Sequence, residues 1–329
     1  MINEAIISIL NNNDSDYNMQ ECFDEMFSGL SAPILSGIFL SLLKLEEETS
    51  ENILQGINSA RNSIKKIKLD IDYDFLIENI CINKMPDYID LSFAMDIVCR
   101  ACEIGVVKSL PSNYAYKNSS FDILKCFGGS FDNFKEENFE KVKFLYSYIS
   151  SDNPYIKYTQ ELFKVLPYDT ILNRINCFLN PYGIKNCTVA LLDKTQVEKY
   201  AKLCLELGYT NSIIFSGDNF PYVSIEGETA ISEAWKNKIF SYSVTPELLG
   251  IKPNSLDSIK VENIEHSAEI LKAVFENKLK DSCYDAIIIN SGLALYITKK
   301  AKSLMEGINL ARKTIDEGKA QEILLSLQK

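Results

Sequence analysis

The stretch that decides the fold is Gly105–Gly129, which reads GVVKSLPSNYAYKNSSFDILKCFGG. Its first residues, Val106 and Val107, indicate a short buried strand, and a polar loop follows. Ser119 can cap the helix that comes next, and Asp122, three residues later, closes a capping box. Because α/β folds bind ligands where a loop leaves the C-terminal end of a buried strand, the pattern predicts a ligand site at this loop.

The overall composition limits the class of protein. The chain has 329 residues, which is enough for two domains or for one large α/β domain with an appendage. Its formal net charge is -11 at pH 7, whereas a nucleic-acid binder needs a basic face. No uninterrupted apolar run approaches the roughly 18–20 residues of a membrane span. We therefore expect neither a nucleic-acid partner nor a membrane partner.

The cysteines indicate a reducing compartment. The chain contains nine cysteines and one histidine, and Cys99 and Cys102, the pair nearest to a CxxC motif, fall on a helical pattern, so a Cys/His zinc site is not expected. Reduced, mostly buried thiols are typical of cytoplasmic proteins. The N-terminus lacks a basic region followed by an apolar run, so no signal peptide is expected. We therefore predict a cytoplasmic location.

Hydrophobic periodicity predicts two kinds of structure along the chain. Four segments before residue 65 carry apolar residues at helical spacing, which predicts a compact helical subdomain. From Thr188 onward, strand and helix patterns alternate, which is typical of an α/β domain. Ile287–Ile289 fits either a buried strand or part of a C-terminal helix. The strands predicted in this half are Thr188–Leu192, Ser212–Phe215, Tyr222–Ile225 and Ile239–Val244.

Several motifs resemble those of the anthranilate phosphoribosyltransferase family. Leu30–Pro33 resembles the start of its N-terminal helical motif, and Ser119–Gly128 is similar to its GSADVLEALG helix. Thr170–Pro181 resembles its RTIFN…GPLTNP segment. Asp285–Tyr296 and Glu306–Ala320 are similar to its C-terminal motif DAVLLNAAAALY…EG…A…GKA. The resemblance runs in order over nearly the whole chain.

The resemblance implies the fold class and the organisation of the chain. The class is α/β, with a small N-terminal helical domain and a larger α/β domain whose central, mostly parallel sheet is flanked by helices. The helical domain is expected at residues 1–65, with a contribution from about 153–180, and the α/β domain at 66–152 and 181–329. The family further implies a small-molecule ligand in the interdomain cleft and a homodimer formed through the helical domain.

The family's motifs for the magnesium-diphosphate donor are altered in this sequence. Its glycine-rich GTGGDG loop brings backbone N–H groups close to pyrophosphate, and the corresponding Cys81–Pro86 contains no glycine. Its KHGNRS loop becomes Lys108–Asn113, in which only the lysine survives. Its paired acidic residues, which hold magnesium, fall at Pro221 and Tyr222. We therefore expect no cofactor, magnesium included.

The resemblance also supplies the candidate substrate-binding residues. Lys108 can meet an anionic ligand or be a solvated loop lysine, and Ser120 and Asp122 can bind a ligand or simply cap their helix. Lys164 falls near the arginine that pairs with the anthranilate carboxylate, and Cys177 is either a nucleophile or a buried thiol. No catalytic residue is assigned. The full candidate set is Lys108, Ser109, Asn113, Tyr116, Ser120, Asp122, Lys164, Asn173 and Cys177.

The changes in the glycine-rich loop, the KHGNRS loop and the acidic pair predict altered chemistry. Each hydrogen bond that a charged phosphate oxygen loses is worth about 1.5–3 kcal/mol, so several losses together lower donor affinity by orders of magnitude. We expect a small-molecule transferase of glycosyl or pentosyl type, with altered donor or substrate chemistry, and not an efficient anthranilate phosphoribosyltransferase. The alternative is a catalytically inactive pseudoenzyme that acts as a dimeric binding or scaffold protein.

Overall fold

The computed structural model describes residues 1–12, 17–46, 48–67, 75–80, 87–111, 120–129, 144–149 and 153–327. The chain divides into two compact units. The helical unit comprises Met1–Leu69, Ser109–Ala115 and Tyr148–Gly183, and the α/β unit comprises Asp70–Lys108, Tyr116–Ser147 and Ile184–Lys329. None of the helices within the described ranges is both long enough and apolar enough to cross a membrane.

α-Helices account for about half of the described residues. They are α1 (Ile2–Leu10), α2 (Met19–Phe27), α3 (Pro33–Leu45), α4 (Ser50–Ser63), α5 (Leu91–Ala101), α6 (Ser120–Cys126), α7 (Pro154–Val165), α8 (Ile171–Cys177), α9 (Val197–Glu206), α10 (Ile264–Phe275), α11 (Ser282–Ile297), α12 (Leu304–Asp316) and α13 (Lys319–Ser326). Short 3-10 helices lie at Lys194–Gln196 and Leu256–Ile259.

Seven described strands form one mixed sheet. They are β1 (Phe75–Ile80), β2 (Gly105–Pro111), β3 (Phe144–Ile149), β4 (Asn186–Ala190), β5 (Asn211–Ser216), β6 (Thr229–Trp235) and β7 (Lys238–Val244), in the order β3-β2-β1-β4-β5-β6-β7. The β2–β1, β1–β4 and β4–β5 pairs are parallel, and β6 and β7 extend the sheet by antiparallel pairing. The fold class inferred from the sequence is confirmed.

The helical unit is held together by an aromatic core. Phe23 and Phe27 of α2 stack with their ring centroids 5.6 Å apart. The rings of Phe27 and Tyr155, which lies on α7, are nearly perpendicular, and their centroids are 4.7 Å apart. These rings bury large apolar areas in the offset and edge-on arrangements that aromatic pairs prefer. The Asn153 side chain caps α7, and Pro154 follows at the first helical position, where its missing N–H is not needed.

Two buried helices organise the α/β unit. Asp90 caps α5 by accepting a hydrogen bond from the Phe93 backbone N–H at 2.8 Å, and Leu91–Cys99 are all buried. Helix α11 is buried along most of its length, so it has no polar face. Gly292 of α11 and Gly307 of α12 are in direct contact, because a Cβ placed on Gly307 would lie 2.2 Å from the Gly292 carbonyl oxygen. Glycine at both positions lets these two helices approach closely.

The structure decides two predictions of local structure in the α/β unit, one for Tyr222–Ile225 and one for Ile287–Ile289. The strand predicted at Tyr222–Ile225 is wrong: the Val223 N–H donates to Asn290 Oδ1 and the Ser224 N–H to Thr229 Oγ1, both at 2.8 Å, so neither joins a strand ladder. Side-chain acceptors replace the strand partner that the alternating pattern implied. Of the two readings of Ile287–Ile289, the structure selects the helix, because these residues lie in the middle of α11.

Candidate functional site

The side chain of Lys108 forms the centre of a buried polar cluster in the α/β unit. Lys108 lies on β2, next to the central strand β1, and its ammonium is 2.6 Å from Asp96 Oδ2 and 3.2 Å from Glu78 Oε2. It also donates to Ser92 Oγ and, at 3.3 Å, to Ser120 Oγ. An ammonium has three donors and no acceptor. All three N–H groups of Lys108 therefore have acceptors within the chain.

Further polar side chains hold these partners in place. The Tyr146 hydroxyl on β3 donates to Asp96 Oδ2, and the Ser92 hydroxyl donates to Glu78 Oε2. Ser120 donates to Asp90 Oδ1 at 3.0 Å, so the cap residue of α5 is part of the same network. We call Glu78, Asp90, Ser92, Asp96, Lys108, Ser120 and Tyr146 the Lys108 cluster. Its members come from three strands and two helices, and the fold thus fixes their geometry.

Burial and charge together set the protonation of the cluster. Burial raises the pKa of Asp96 to about 7, although the Lys108 charge opposes the rise, and burial raises the pKa of Asp90 in the same way. For Lys108, burial acts to lower the pKa, but Asp96, Glu78 and Asp90 outweigh it and raise the pKa above its ordinary value. The lysine is therefore a permanent cation surrounded by three acidic groups.

Tyr222 brings a further hydroxyl to the Lys108 cluster. The Tyr222 side chain is 1% exposed, and burial, followed by the charges of Glu78, Asp90 and Asp96, raises its pKa well above the ordinary value. It therefore stays a neutral phenol at physiological pH. A hydrogen bond with the Ser92 side chain opposes this rise in pKa. Glu78 Oε1 and Asp90 Oδ2 are buried and have no hydrogen-bond partner among the described residues.

A magnesium ion does not fit this arrangement. Hard divalent cations need about six oxygen ligands, usually including carboxylates that are not already engaged. Asp96 Oδ2 accepts from both Lys108 and Tyr146, and Glu78 Oε2 is taken by Lys108 and Ser92. The two cluster oxygens that lack a partner, Glu78 Oε1 and Asp90 Oδ2, are too few to coordinate the ion. Over the described ranges, no group of three or more His, Cys, Asp or Glu side chains is arranged to hold a metal ion. These carboxylates neutralise a lysine instead.

The structure brings together only part of the predicted site in the α/β unit. Lys108 and Ser120 are in contact, and Lys108 is buried, so the interpretation of Lys108 as a solvated loop lysine is wrong. The reason is that its ammonium has acidic partners inside the fold. Asp122 lies outside the cluster and pairs with Lys125 at 2.9 Å on the exposed side of α6.

Other predicted residues cannot be placed in the site. The Ser109 backbone belongs to β2. Asn113 and Tyr116 lie outside the described residues, as do Ser119, predicted to cap α6, and the glycine-free segment Cys81–Pro86. The placement of these residues around a ligand stays a prediction.

Three candidates lie in the helical unit, and each makes a contact at its own helix. Asn173 completes a capping box at the start of α8, because its side chain accepts from the Thr170 backbone N–H at 2.9 Å. Cys177 closes the same helix, and its thiol donates to the Asn173 carbonyl at 3.1 Å. Lys164 pairs with Glu161 at 2.7 Å, and both side chains are 59% exposed. These contacts account for helix structure, and a ligand role for the three residues stays a prediction.

The residues missed by sequence reasoning are the acids around Lys108 and the tyrosine on β3. Asp96 is the one acidic residue within the buried helix segment Leu91–Cys99, and Glu78 follows the apolar run Phe75–Ile77 on the central strand β1. A charged residue inside an apolar pattern is almost never buried without a partner. That signal was present in the sequence, but the sequence alone could not identify Lys108 as the partner.

The comparisons with known proteins agree on the family. Residues 87–321 match the family model described as "Glycosyl transferase family, a/b domain". The chain is 27% identical to the anthranilate phosphoribosyltransferase of Acetivibrio thermocellus over 98% of this chain and 95% of the relative. It is 28% identical to that of Methanosarcina mazei over 85% of this chain and 76% of the relative.

Solved structures show the same fold. The crystal structure of anthranilate phosphoribosyltransferase from Thermus thermophilus matches with a TM-score of 0.84 and 19% identity, and covers 99% of both chains. The Saccharomyces cerevisiae enzyme in complex with PRPP and Mg matches with a TM-score of 0.84 and 16% identity, over 99% of this chain and 96% of that one. The family model covers well over half of the chain, and the chain belongs to this glycosyl transferase family, among whose members it is similar to the anthranilate phosphoribosyltransferases.

Proposed function

We propose that this chain is a divergent transferase of its family, which takes a small glycosyl- or pentosyl-type ligand and is not an efficient anthranilate phosphoribosyltransferase. The observation that carries the proposal is the Lys108 ammonium. It is only 7% exposed, and its donors are used by Asp96, Ser92 and Ser120, with Glu78 as a second counter-charge. No N–H of this lysine remains for a phosphate oxygen.

The charge around Lys108 also opposes an anionic donor. Three acidic side chains, Glu78, Asp90 and Asp96, face a single ammonium. A phosphate charge brought within about 4 Å of a carboxylate is repelled by roughly 4 kcal/mol at an effective dielectric constant of 20. Pro221 and Tyr222 take the positions that the resemblance assigns to magnesium-binding acids, and neither side chain carries a charge that could hold the metal. A diphosphate would therefore meet repulsion without a compensating cation.

A second candidate is a catalytically inactive pseudoenzyme that acts as a dimeric scaffold. The apolar side chains exposed on the helical unit favour an interacting surface: Ile7 and Leu10 on α1, Leu30, and Ile34 and Ile38 on α3. Exposed apolar side chains that lie together commonly mark protein interfaces. We propose that this surface forms the homodimer in either case, so the two candidates differ in whether a small molecule binds.

The compartment and the remaining partners follow from charge and thiol chemistry. The described cysteines are free, and most are buried, which suits a reducing cytoplasm. The net charge of -11 argues against a nucleic-acid partner. We therefore propose a cytoplasmic protein whose ligand is a small molecule.

The decisive assay follows anthranilate consumption with phosphoribosyl diphosphate and Mg²⁺, with the Acetivibrio thermocellus relative run in parallel as the positive control. We expect a rate about 10³-fold or more below the control, because several charged hydrogen bonds to the donor are missing. Turnover close to that of the control would contradict the proposal. Thermal stabilisation by any sugar-type ligand favours the transferase, and co-purification of a protein partner without such stabilisation favours the scaffold.

A further inference from the structure

The outer strand β7 has a row of open backbone hydrogen-bonding groups. It ends the sheet order, and no further described strand pairs with it. The two-residue turn Lys236-Asn237 joins it to β6, so that Trp235 lies opposite Lys238. In such a hairpin the residues that flank the turn are hydrogen-bonded to each other, and bonded pairs recur at every second residue. The groups that point away from β6, and that have no hydrogen-bond partner among the described residues, are the backbone N–H and C=O of Ile239, Ser241 and Ser243.

Aromatic side chains lie on one face of this hairpin. Phe240 and Tyr242 of β7 are 52% and 37% exposed. The hydroxyl of Tyr242 donates to Glu233 on β6 at 2.5 Å, and the hydroxyl of Tyr296 on α11 donates to the same carboxylate at 2.9 Å. Because side chains alternate along a strand, Trp235 shares the face of Glu233. The edge of the sheet therefore carries an exposed aromatic surface beside its open backbone groups.

Lysine side chains surround Trp235 at the turn end of the hairpin. The ammonium nitrogens of Lys236 and Lys299 lie 4.3 and 5.0 Å from the centroid of its ring, within the range of cation–π attraction. Both lysines have a positive φ, +48° and +62°, which L side chains rarely adopt. Lys238 begins β7 next to them. Within the described ranges none of these three lysines pairs with a carboxylate, although the chain has a net charge of -11. This end of the hairpin is thus a basic patch on an acidic protein.

We propose that β7 is a docking strand for an extended, acidic segment of a partner protein, which adds to the edge of the sheet and places its acidic residues at Lys236, Lys238 and Lys299. In strand addition the main chain supplies affinity, and the alternate side chains supply specificity. Phe240 and Tyr242 provide the apolar contact, and the lysines select the charge. The surface belongs to β6, β7 and the end of α11, so the proposal does not depend on the function of the Lys108 cluster.

A second copy of the same strand is a poorer occupant. Strand β7, Lys238–Val244, contains no acidic residue, so a copy of it would bring a further lysine and no counter-charge. A lysine on an edge strand is also a common device against pairing between identical edges. The charge of this edge therefore opposes self-association and favours an acidic strand.

A matched pair of peptides tests the charge preference. Both alternate valine and threonine, and one ends in three glutamates whereas the other ends in three lysines. Fluorescence anisotropy with the full-length chain measures their affinities. We expect the glutamate peptide to bind about tenfold more tightly, and the difference to shrink as salt is added. Equal affinities, or no binding of the glutamate peptide, would overturn the proposal. Tighter binding of a single-stranded oligonucleotide than of this peptide would also overturn it and would assign the surface to nucleic acid.

Hydrogen exchange at single amides tests the strand addition itself. With the glutamate peptide bound, the amides of Ile239, Ser241 and Ser243 should exchange more slowly, because they acquire acceptors. Those of Phe240 and Tyr242 should change little, since they already point to β6. Binding without protection of the three outward amides would contradict the proposal.

Two variants locate the peptide on the surface. Lys236→Glu reverses one charge of the basic patch and should weaken binding of the glutamate peptide about fivefold. The matched control is Lys272→Glu, at an exposed lysine of α10. Ser241→Pro removes an outward N–H that β6 does not use, and it should also weaken binding. Unchanged binding by both Lys236→Glu and Ser241→Pro, or an equal loss in Lys236→Glu and Lys272→Glu, would overturn the assignment.

Discussion

The Lys108 ammonium lies 2.6 Å from Asp96 Oδ2, and both side chains are at least 93% buried. A buried ion pair recovers its desolvation cost only when its remaining donors and acceptors are also satisfied. Here Tyr146, Ser92 and Ser120 satisfy them on the side of β2 that faces α5 and α6. The pair therefore contributes to stability, and we propose that it also determines ligand chemistry; these two roles can be tested separately.

Removal of the lysine should destabilise the fold severely. Lys108→Met leaves Asp96 and Glu78 buried without their cation, and losing one partner of a buried pair costs about 3–5 kcal/mol. The control is Lys125→Met, which breaks the exposed pair with Asp122 and should cost less than about 1 kcal/mol. Urea unfolding measures both. Equal stability of the two variants would mean that the Lys108 cluster carries no net stabilisation.

The Asp96 carboxyl should make stability depend on pH. Its pKa is raised from 3.8 to about 7 in the folded chain, so between these values the folded state holds a proton that the unfolded state has released. The stabilisation is thus fully present below about pH 4 and is lost as the pH rises through about 7. Asp90 acts in the same direction. We expect a higher melting temperature at pH 5.5 than at pH 7.5.

The variant Asp96→Asn separates this effect from the general charge of the chain. The chain carries a net charge of -11 at pH 7, and its self-repulsion decreases as the pH falls and the carboxylates take up protons. This general effect also raises stability at lower pH, so the pH slope alone is not diagnostic. Asp96→Asn should flatten the slope, whereas Asp122→Asn, an equal change of charge outside the cluster, should leave it intact. A slope that both variants share would assign the pH dependence to net charge.

The contact between α11 and α12 should tolerate no side chain. Gly307→Ala places a Cβ 2.2 Å from the Gly292 carbonyl oxygen, a backbone atom that cannot move aside without separating the helices. We expect a loss of about 1–3 kcal/mol in the free energy of unfolding. Gly227→Ala is the control, since a Cβ there meets nothing within 4 Å. Denaturant titration measures the unfolding midpoints of both variants. Equal midpoints would show that α12 can shift away from α11 without loss of stability.

The exposed apolar surface of the helical unit should govern assembly. Ile34 is 77% exposed on α3, and Ile34→Glu should place a charge in the proposed homodimer interface and shift the chain to monomers. The control is Leu248→Glu, an equally polar change at a residue that is 66% exposed in the α/β unit. Light scattering after size-exclusion chromatography gives the masses. If the dimer persists in Ile34→Glu and dissociates in Leu248→Glu, the interface lies on the α/β unit and the prediction is wrong.

The elements with strong local signals were predictable from sequence. Asp90 at the start of α5 and Asn153-Pro154 at the start of α7 are cap signals that act through their own backbone, so they appear in the sequence as they do in the structure. Tyr222–Ile225 alternates like a strand, but its N–H groups bond to Asn290 and Thr229. Such partners depend on long-range packing, and a local pattern cannot reveal them.

The candidate site was predictable only in part for the same reason. Lys108 and Ser120 stand in motifs, and the resemblance therefore identified them. Glu78 and Asp96 belong to different elements, 30 and 12 residues before Lys108, and only the sheet order and the burial of α5 bring them together. The sequence predicted a changed anion site, whereas the acidic partners of Lys108 could be identified only from three-dimensional coordinates.

The burial of Tyr222 beside three acids has a consequence for substitution at this position. An acidic residue at position 222 would add a fourth acidic group to a site with a single cation. Without a further cation, such a chain would bury a negative charge that nothing neutralises, so position 222 is restricted to uncharged residues as long as Lys108 is the sole cation of the cluster.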